Sequence, residues 1–486
     1  MELYGGAFRS DDIISECKKS DNIIIYGAGM IADILYFYLE EYSLQDRIRG
    51  FVVTKLTGNV QLKFGFTVYE MKDMLDIAKM SLILIAVQND IALEIEKSVH
   101  EYNVKQCIRI DADELLSHFY NKLYQQPISD TKVLLQNECG HGYGCNPKYI
   151  AEQLHQKDSN LDLVWAVSSD FVQMPEYIRK VVYGSREYYS ELATARIWID
   201  NCRKPLSVKK RKGQYYVQAW HGAAPIKMVE KDAMSTLPSF YIKAAKQDSQ
   251  MADVFLSGSR FYTELYRRSF WYQGLILEYG LPRQDIFWNT SSAHNKIHKL
   301  YGIDEDALIV MYAPTFRESY EKICYDIDLN GVVEALEKRF HKQVKMLVSR
   351  HPINYQQYHF DDNAEYTFVG DYEDFQELLA ATDILISDYS GCVYDFSFTG
   401  RPIFLYQRDY EEYLQERNFY IPMDKLPYIS AHSNEELKKT ILNFEQEKYQ
   451  LALKKFMDMM HNFDDGYASE KVADFLLKNV LKRKDM

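Results

Sequence analysis

Two hydrophobic rhythms alternate along the chain. Uninterrupted apolar runs of about four to six residues recur, each followed by small or polar residues and then by apolar positions spaced three and four apart. Runs of the first kind predict strands covered on both faces, and stretches of the second kind predict amphipathic helices. "DNIIIYGAGMIADILYFYLEEY" begins the series with a strand at Ile23–Tyr26, a Gly27-Ala28-Gly29 turn and a helix. "IRGFVVT", "LILIAV" and "VKQCIRI" supply three more strands. Strands alternating with helices imply a parallel, Rossmann-like sheet. "LYQQPISDT" (Leu123–Thr131), polar and proline-bearing, reads as a linker.

Beyond it the alternation restarts. "KVLLQNECGHGYGCNPKYIAEQL" predicts a strand, a glycine-rich loop and a helix begun by Asn146-Pro147, with proline in the first turn where its missing N–H costs nothing. "LDLVWAV", "RKVVYGS", "ARIWIDN", "YYVQAW" and "DVFLSGS" are further short strands, and "LILEYGLPRQDIF" closes the group. A third group holds strands at "ALIVMYAPTFRES", "QVKMLVSRHPIN", "TFVGD", "DILISDYSG" and "RPIFLYQ", and the stretch from Ser433 onward is helical. The predicted domains are residues 1–125, 130–287 and 288–486. The last two form a pair of facing Rossmann-like units, the GT-B architecture, with the active site in the cleft between them. The expected class is α/β, with an additional Rossmann-like domain at the N-terminus.

Composition narrows the function. With 47% hydrophobic and 26% charged residues the chain is globular, and a net charge of −13 argues against a nucleic-acid partner. Its apolar runs are too short to cross a bilayer, and "MELYGGAFRSDD" lacks the basic flank and apolar core of a signal peptide. The expected location is the cytoplasm, with peripheral contact to the inner face of the membrane. Seven cysteines, among them Cys139 and Cys145 flanking His141, lack metal-ligand spacing and read as reduced thiols. The glycines around them point to a phosphate- or substrate-facing loop. "RKPLSVKKRKG" is the basic exception; its Lys209, Lys210, Arg211 and Lys212 suit either a solvated loop or a contact for an anionic acceptor or lipid headgroups.

Ligands of open α/β sheets gather at the carboxyl ends of the strands. In the third group those ends carry Thr315 and Arg317, Arg350 and His351, then Asp388, Ser390 and Gly391 at a strand-to-helix turn with Asp395 one turn further on. Free N–H groups at a helix start, with cations converging on them, suit a diphosphate. In the second group "QAWHGAAPIK" delivers His221 at a strand end, with Lys227 shortly after it. Such a histidine is either a core residue bonded to a carbonyl or a general base facing the phosphate site.

Several motifs in one order resemble the CDP-glycerol glycerophosphotransferases, the teichoic-acid primases and polymerases. They are "GYGCNPKYI", "ARIWIDN", "QAWHGAAPIK", "YGLPRQD", "YAPTFRES", "SRHP" and "DYEDFQELLAATDILISDYSGCVYDFSFTGRPIFLY", spread over roughly Lys132 to Leu477. The resemblance implies transfer of polyol phosphate, glycerol phosphate first, from a CDP-polyol to an acceptor hydroxyl with release of CMP. It assigns His221 as base and His351 as a second catalytic residue. Thr315, Arg317, Arg350, Asp388, Ser390 and Gly391 become donor-binding, and Asp395 is assigned to the glycerol hydroxyls. It implies no metal or other cofactor. The acceptor is a lipid-linked or polymeric glycan or polyol phosphate, and a homo-oligomer is compatible with the chain. Ala223 and Gly391 stand where the family usually has hydroxyl residues, which leaves the polyol open between glycerol, ribitol and another. The competing reading is a GT-B glycosyltransferase using a nucleotide sugar. The N-terminal domain fits G-x-G-x-x-A, but its second strand ends in Thr54-Lys55 where an NAD site needs a carboxylate. Weak NAD binding or none is therefore expected, with a role in assembly or acceptor positioning.

Overall fold

The computed structural model describes residues 10–57, 59–169, 171–222, 227–315, 326–349, 365–416 and 418–482. It contains three sheets, nearly all of their recorded strand pairs parallel, as the double alternation of strand and helix requires. The chain divides into two compact units. The smaller comprises residues 1–129 together with Val181–Ala195 and Ser207–Lys212.

Its sheet is built from β1 (Ile23–Tyr26), β2 (Ile48–Val53), β3 (Leu62–Lys63), β4 (Phe66–Glu70), β5 (Leu82–Ile85) and β6 (Cys107–Arg109), in the order β3-β4-β2-β1-β5-β6. β1 and β5 are buried throughout because helices cover both faces. The β3–β4 ribbon, antiparallel and only two residues long on one side, is too short to leave a hydrophobic period in the sequence. Gly27, with φ +126°, has a structural reason to be glycine: a Cβ there would meet the Ala86 carbonyl oxygen at 2.5 Å. At the first residue of the following helix, Met30–Glu41, the Ser207 hydroxyl lies 2.6 Å from the Met30 sulfur.

The larger unit carries the other two sheets. The first runs β13-β12-β11-β10-β7-β8-β9, from β7 (Ser129–Gln136), β8 (Asp162–Val167), β9 (Ile178–Val182), β10 (Ala195–Asp200), β11 (Tyr215–Gln218), β12 (Val254–Leu256) and β13 (Leu275–Leu277). The second is parallel throughout and runs β16-β15-β14-β17-β18-β19. Its members are β14 (Leu308–Ala313), β15 (Val344–Val348), β16 (Thr367–Phe368), β17 (Ile384–Ser387), β18 (Ile403–Tyr406) and β19 (Ile429–Ala431). Two Rossmann-like halves sharing one hydrophobic core make this unit a GT-B fold.

Two segments make contacts beyond the sequence reading. The final helical stretch, expected with residues 288–486, returns to the first half: Ala468 and Ser469 N–H groups donate to Asp285 (2.9 and 2.8 Å), and Lys157 pairs with Glu470 and Asp474. The glycine-rich loop, read as phosphate- or substrate-facing, also packs against the second half. Gly142 is left-handed (φ +69°), and a Cβ there would meet Glu373 Oε2 at 2.8 Å and its carbonyl oxygen at 3.1 Å. Tyr143 N–H donates to Glu373, and the buried Lys148 ammonium bonds Asp374 (2.7 Å) and Glu377 (3.0 Å). The glycines permit a close seam between the two halves.

Candidate active site

β11 ends at Gln218, and the chain must turn sharply to leave the sheet. Trp220 makes that turn in the left-handed region (φ 51°), which a non-glycine residue adopts only when its surroundings hold it there. They do so on every side. Its N–H donates to Gln218 Oε1 (2.9 Å), its ring stands edge-on to Phe270 (4.9 Å), and the Arg203 guanidinium lies 5.2 Å from the ring centre. Asn146 donates to the carbonyls of both Ala219 and Trp220, at 2.9 Å each.

This turn presents His221 as an exposed ring stacked on Trp220 with centroids 4.4 Å apart. Nδ1 lies 2.6 Å from the Asn201 carbonyl. A carbonyl only accepts, so Nδ1 carries the proton and neutral His221 keeps the lone pair on Nε2. The carbonyl bond that the sequence offered as one alternative is present, and it fixes the tautomer that leaves a lone pair on Nε2.

Behind His221 stands Arg283, a residue the sequence reading did not single out. One arm of its guanidinium donates to the His221 carbonyl and the other to Asp395. Its backbone N–H donates to Asn146 Oδ1 (3.0 Å), so Asn146 and Arg283 brace the strand end together. Burial works against the Arg283 charge, but Asp395, Cys145 and Tyr262 together outweigh it and leave the guanidinium pKa raised. Asp395 is itself buried, and accepts from Gln284 and Gln376 as well. Arg283 and Gln284 come from one half of the fold and Asp395 and Gln376 from the other, so this carboxylate joins the two halves.

Across the seam, Asp388 at the end of β17 accepts from the Thr315 N–H (2.9 Å), from the Thr315 hydroxyl (2.6 Å) and from Tyr389 N–H. It is 1% exposed, so it positions Thr315 and the turn and does not itself reach an anion. Ser390 and Gly391 remain partly accessible at the turn, where Cys392 N–H points back to Ser390 Oγ at 3.4 Å. The helix that starts there, Cys392–Ser397, carries Asp395. One guanidinium thus spans from the His221 backbone to the helix that follows the Ser390–Gly391 turn. Arg317, Arg350 and His351 lie outside the described residues, as does Ala223.

The basic residues separate into three kinds. Arg203, first of the basic run, is buried on Asp248 and Glu230, and Lys204 on Asp200. Arg211 donates to the Gln126, Ala193 and Tyr124 carbonyls. Lys209 and Lys212 are exposed and Lys210 is half-buried. Lys227 bridges to Phe419, with its ammonium 5.7 Å from the Tyr413 ring centre. Asp326 and Asp328, read from sequence as structural, pair with Arg408 and cap the helix Leu329–Phe340.

Residues 118–478 match the family described as CDP-Glycerol:Poly(glycerophosphate) glycerophosphotransferase. The chain belongs to this family. As a member of the glycerophosphotransferase family it is a transferase of the teichoic-acid type. The teichoic acid poly(glycerol phosphate) polymerase of Staphylococcus epidermidis is 26% identical over 89% of the chain, which spans 66% of that protein. The corresponding polymerase of Bacillus spizizenii is 27% identical, over 77% of this chain and all of its own length. A solved structure of the wall teichoic acid polymerase TagF, a histidine-to-asparagine variant soaked with CDPG, superposes with a TM-score of 0.65. It is 26% identical and covers 76% of this chain and 95% of its own. The glycerophosphotransferase match takes in β7 to β19 and every residue placed in the site above. Among the described residues no helix is long and apolar enough to cross a membrane.

Proposed function

We propose that the protein transfers glycerol phosphate from CDP-glycerol to the hydroxyl of a teichoic-acid-like acceptor, with His221 as the base. The observation that carries this reading is the tautomer: Nδ1 donates to Asn201, and Nε2 on an exposed ring is ready to take a proton. In the step, the acceptor oxygen attacks the phosphorus bearing glycerol, its proton passes to Nε2, and the bond to CMP breaks. Ser390 and Gly391 hold the diphosphate beside Thr315, which Asp388 fixes at the turn, aided by Arg317, Arg350 and His351, and such donors stabilise the charge that grows on the transferring group. Asp388 supports this cradle from behind.

The acceptor is polymeric or lipid-linked, and the exposed Lys209 and Lys212 contribute to contact with an anionic membrane surface, each worth about 1 kcal/mol close to it. The N-terminal unit positions this acceptor or supports self-association. The test is CMP release by the purified chain from CDP-glycerol, CDP-ribitol and UDP-sugars, with product masses read on a short glycerol-phosphate acceptor. The proposal requires CMP and a product heavier by one glycerol phosphate. Transfer of a sugar from a UDP-sugar, with no turnover of either CDP-polyol, would overturn it.

A further inference from the structure

Two thiols meet beside the catalytic strand end. Cys139 Sγ lies 2.9 Å from Cys202 Sγ, about 1 Å beyond the length of an S–S bond. Cys139 is exposed, whereas Cys17, Cys107, Cys145 and Cys392 are buried. Cys139 sits in a tight turn after β7 in which Glu138 and Cys139 are both left-handed (φ 40° and 57°), a conformation that non-glycine residues keep only under constraint. Cys202 follows β10 by two residues, and its N–H and thiol both face Asp200 Oδ1 (3.1 and 3.3 Å).

The two turns are stitched together by Asn201. Its amide donates to Asn137 Oδ1 (2.7 Å), and its own Oδ1 accepts from Glu138 N–H (2.8 Å). The same residue supplies the carbonyl that holds His221 Nδ1. A change in the Cys139–Cys202 link is therefore one peptide unit from the group that fixes the tautomer of His221.

We propose that Cys139 and Cys202 form a reversible disulfide that switches transfer off by displacing the Asn201 carbonyl from His221. The oxidant is a hydroperoxide or a small-molecule disulfide. With a hydroperoxide, the Cys139 thiolate attacks the peroxide oxygen, the O–O bond breaks, and the leaving oxygen departs as water or alcohol. The Cys202 thiol attacks the sulfur of the resulting sulfenic acid, the S–S bond forms, the S–O bond breaks, and the hydroxyl leaves with the thiol proton as water. Two thiols lose two electrons and the peroxide gains them. With a disulfide, two exchange steps release two small thiols. When its single S–H turns from Asp200 to Cys139, Cys202 favours the thiolate at Cys139 and lowers its pKa, which makes the exposed sulfur the first nucleophile.

The effect on transfer rests on the function proposed above; the bond itself does not. The full chain is reduced, freed of reductant, exposed to hydrogen peroxide or oxidised glutathione, alkylated and peptide-mapped, with CMP release followed in parallel. The expected result is a Cys139–Cys202 linked peptide, a loss of transfer of more than tenfold, and recovery with dithiothreitol. Cys139→Ser and Cys202→Ser should both keep their rate under oxidant. A map with no linked peptide, or with glutathione retained on Cys139, would overturn the proposal. So would a linked peptide with unchanged turnover. A reduced chain that releases no CMP refutes the catalytic reading, and the peptide map then judges the disulfide alone.

Discussion

Asp395→Asn separates a structural carboxylate from a substrate ligand. Arg283 and Asp395 side chains are 7% and 2% exposed, so the variant strands a guanidinium charge away from water. Breaking a buried pair by removing one partner costs about 3–5 kcal/mol. Unfolding entropy near 2.1 cal/mol/K per residue, over the roughly 340 residues of the larger unit, converts this to a fall in Tm of about 4–7 °C. Because Arg283 also holds the His221 carbonyl, kcat should fall by roughly tenfold to a hundredfold, the scale of a small misplacement. Affinity for CDP-glycerol should stay within a few-fold. Tm is read by tryptophan fluorescence, affinity by calorimetry and kcat by CMP release. The double variant Arg283→Met with Asp395→Leu should recover most of the lost Tm, since buried pairs replaced by apolar residues of similar volume are often neutral or stabilising. An Asp395→Asn protein with unchanged Tm and donor affinity weakened more than about tenfold would refute the reasoning and return Asp395 to the glycerol.

Lys148→Met should remove a step in the acid-stability curve. Burial alone would raise the Glu377 pKa, but Lys148, Lys296 and Tyr372 outweigh it and hold it at about 2, so its contribution is present above the ordinary carboxylate range and is lost as pH falls towards 2; Tm against pH should fall less steeply there in the variant. Asp464 shows the opposite sign: burial lifts it to about 8, so the stability it gives is complete below about pH 4 and is lost as pH rises through 8. Asp464→Asn, whose oxygen can still accept from Leu281 N–H, should flatten that window and be the more stable protein above pH 8; a parallel pair of Tm curves would contradict this. Asp388→Asn should weaken CDP-glycerol binding by roughly tenfold, the scale of a lost bond to a charged group, while acceptor KM holds; equal weakening of both would count against a donor-side role.

The fold was legible because parallel strands covered on both faces leave runs such as Ile23–Tyr26 and Leu308–Ala313 that no surface element would tolerate. His221, Thr315 and Asp388 were legible for a related reason, since they stand where such runs stop. What the pattern could not reveal was pairing. Arg283, Lys148 and Arg203 look like surface cations in a one-dimensional reading, yet each is buried against carboxylates 27 to 229 residues away. Asp395 shows the same limit: its motif places it one turn beyond a phosphate-type turn, and nothing in that motif announces its partner at Arg283. The seam contact of the glycine-rich loop was not legible, because glycine permits close approach equally to a ligand and to a neighbouring backbone, here that of Glu373.

The central claim is that the Nε2 lone pair of His221 takes the acceptor proton. Its most direct test is His221→Ala, assayed for single-turnover transfer from CDP-glycerol to a soluble acceptor and, on the same sample, for donor affinity. Loss of transfer by about 10²–10⁴-fold, the usual contribution of a general base, is expected, with donor affinity within a few-fold of the parent. Retention of more than about a tenth of the parent rate would contradict it, as would a variant that no longer binds CDP-glycerol.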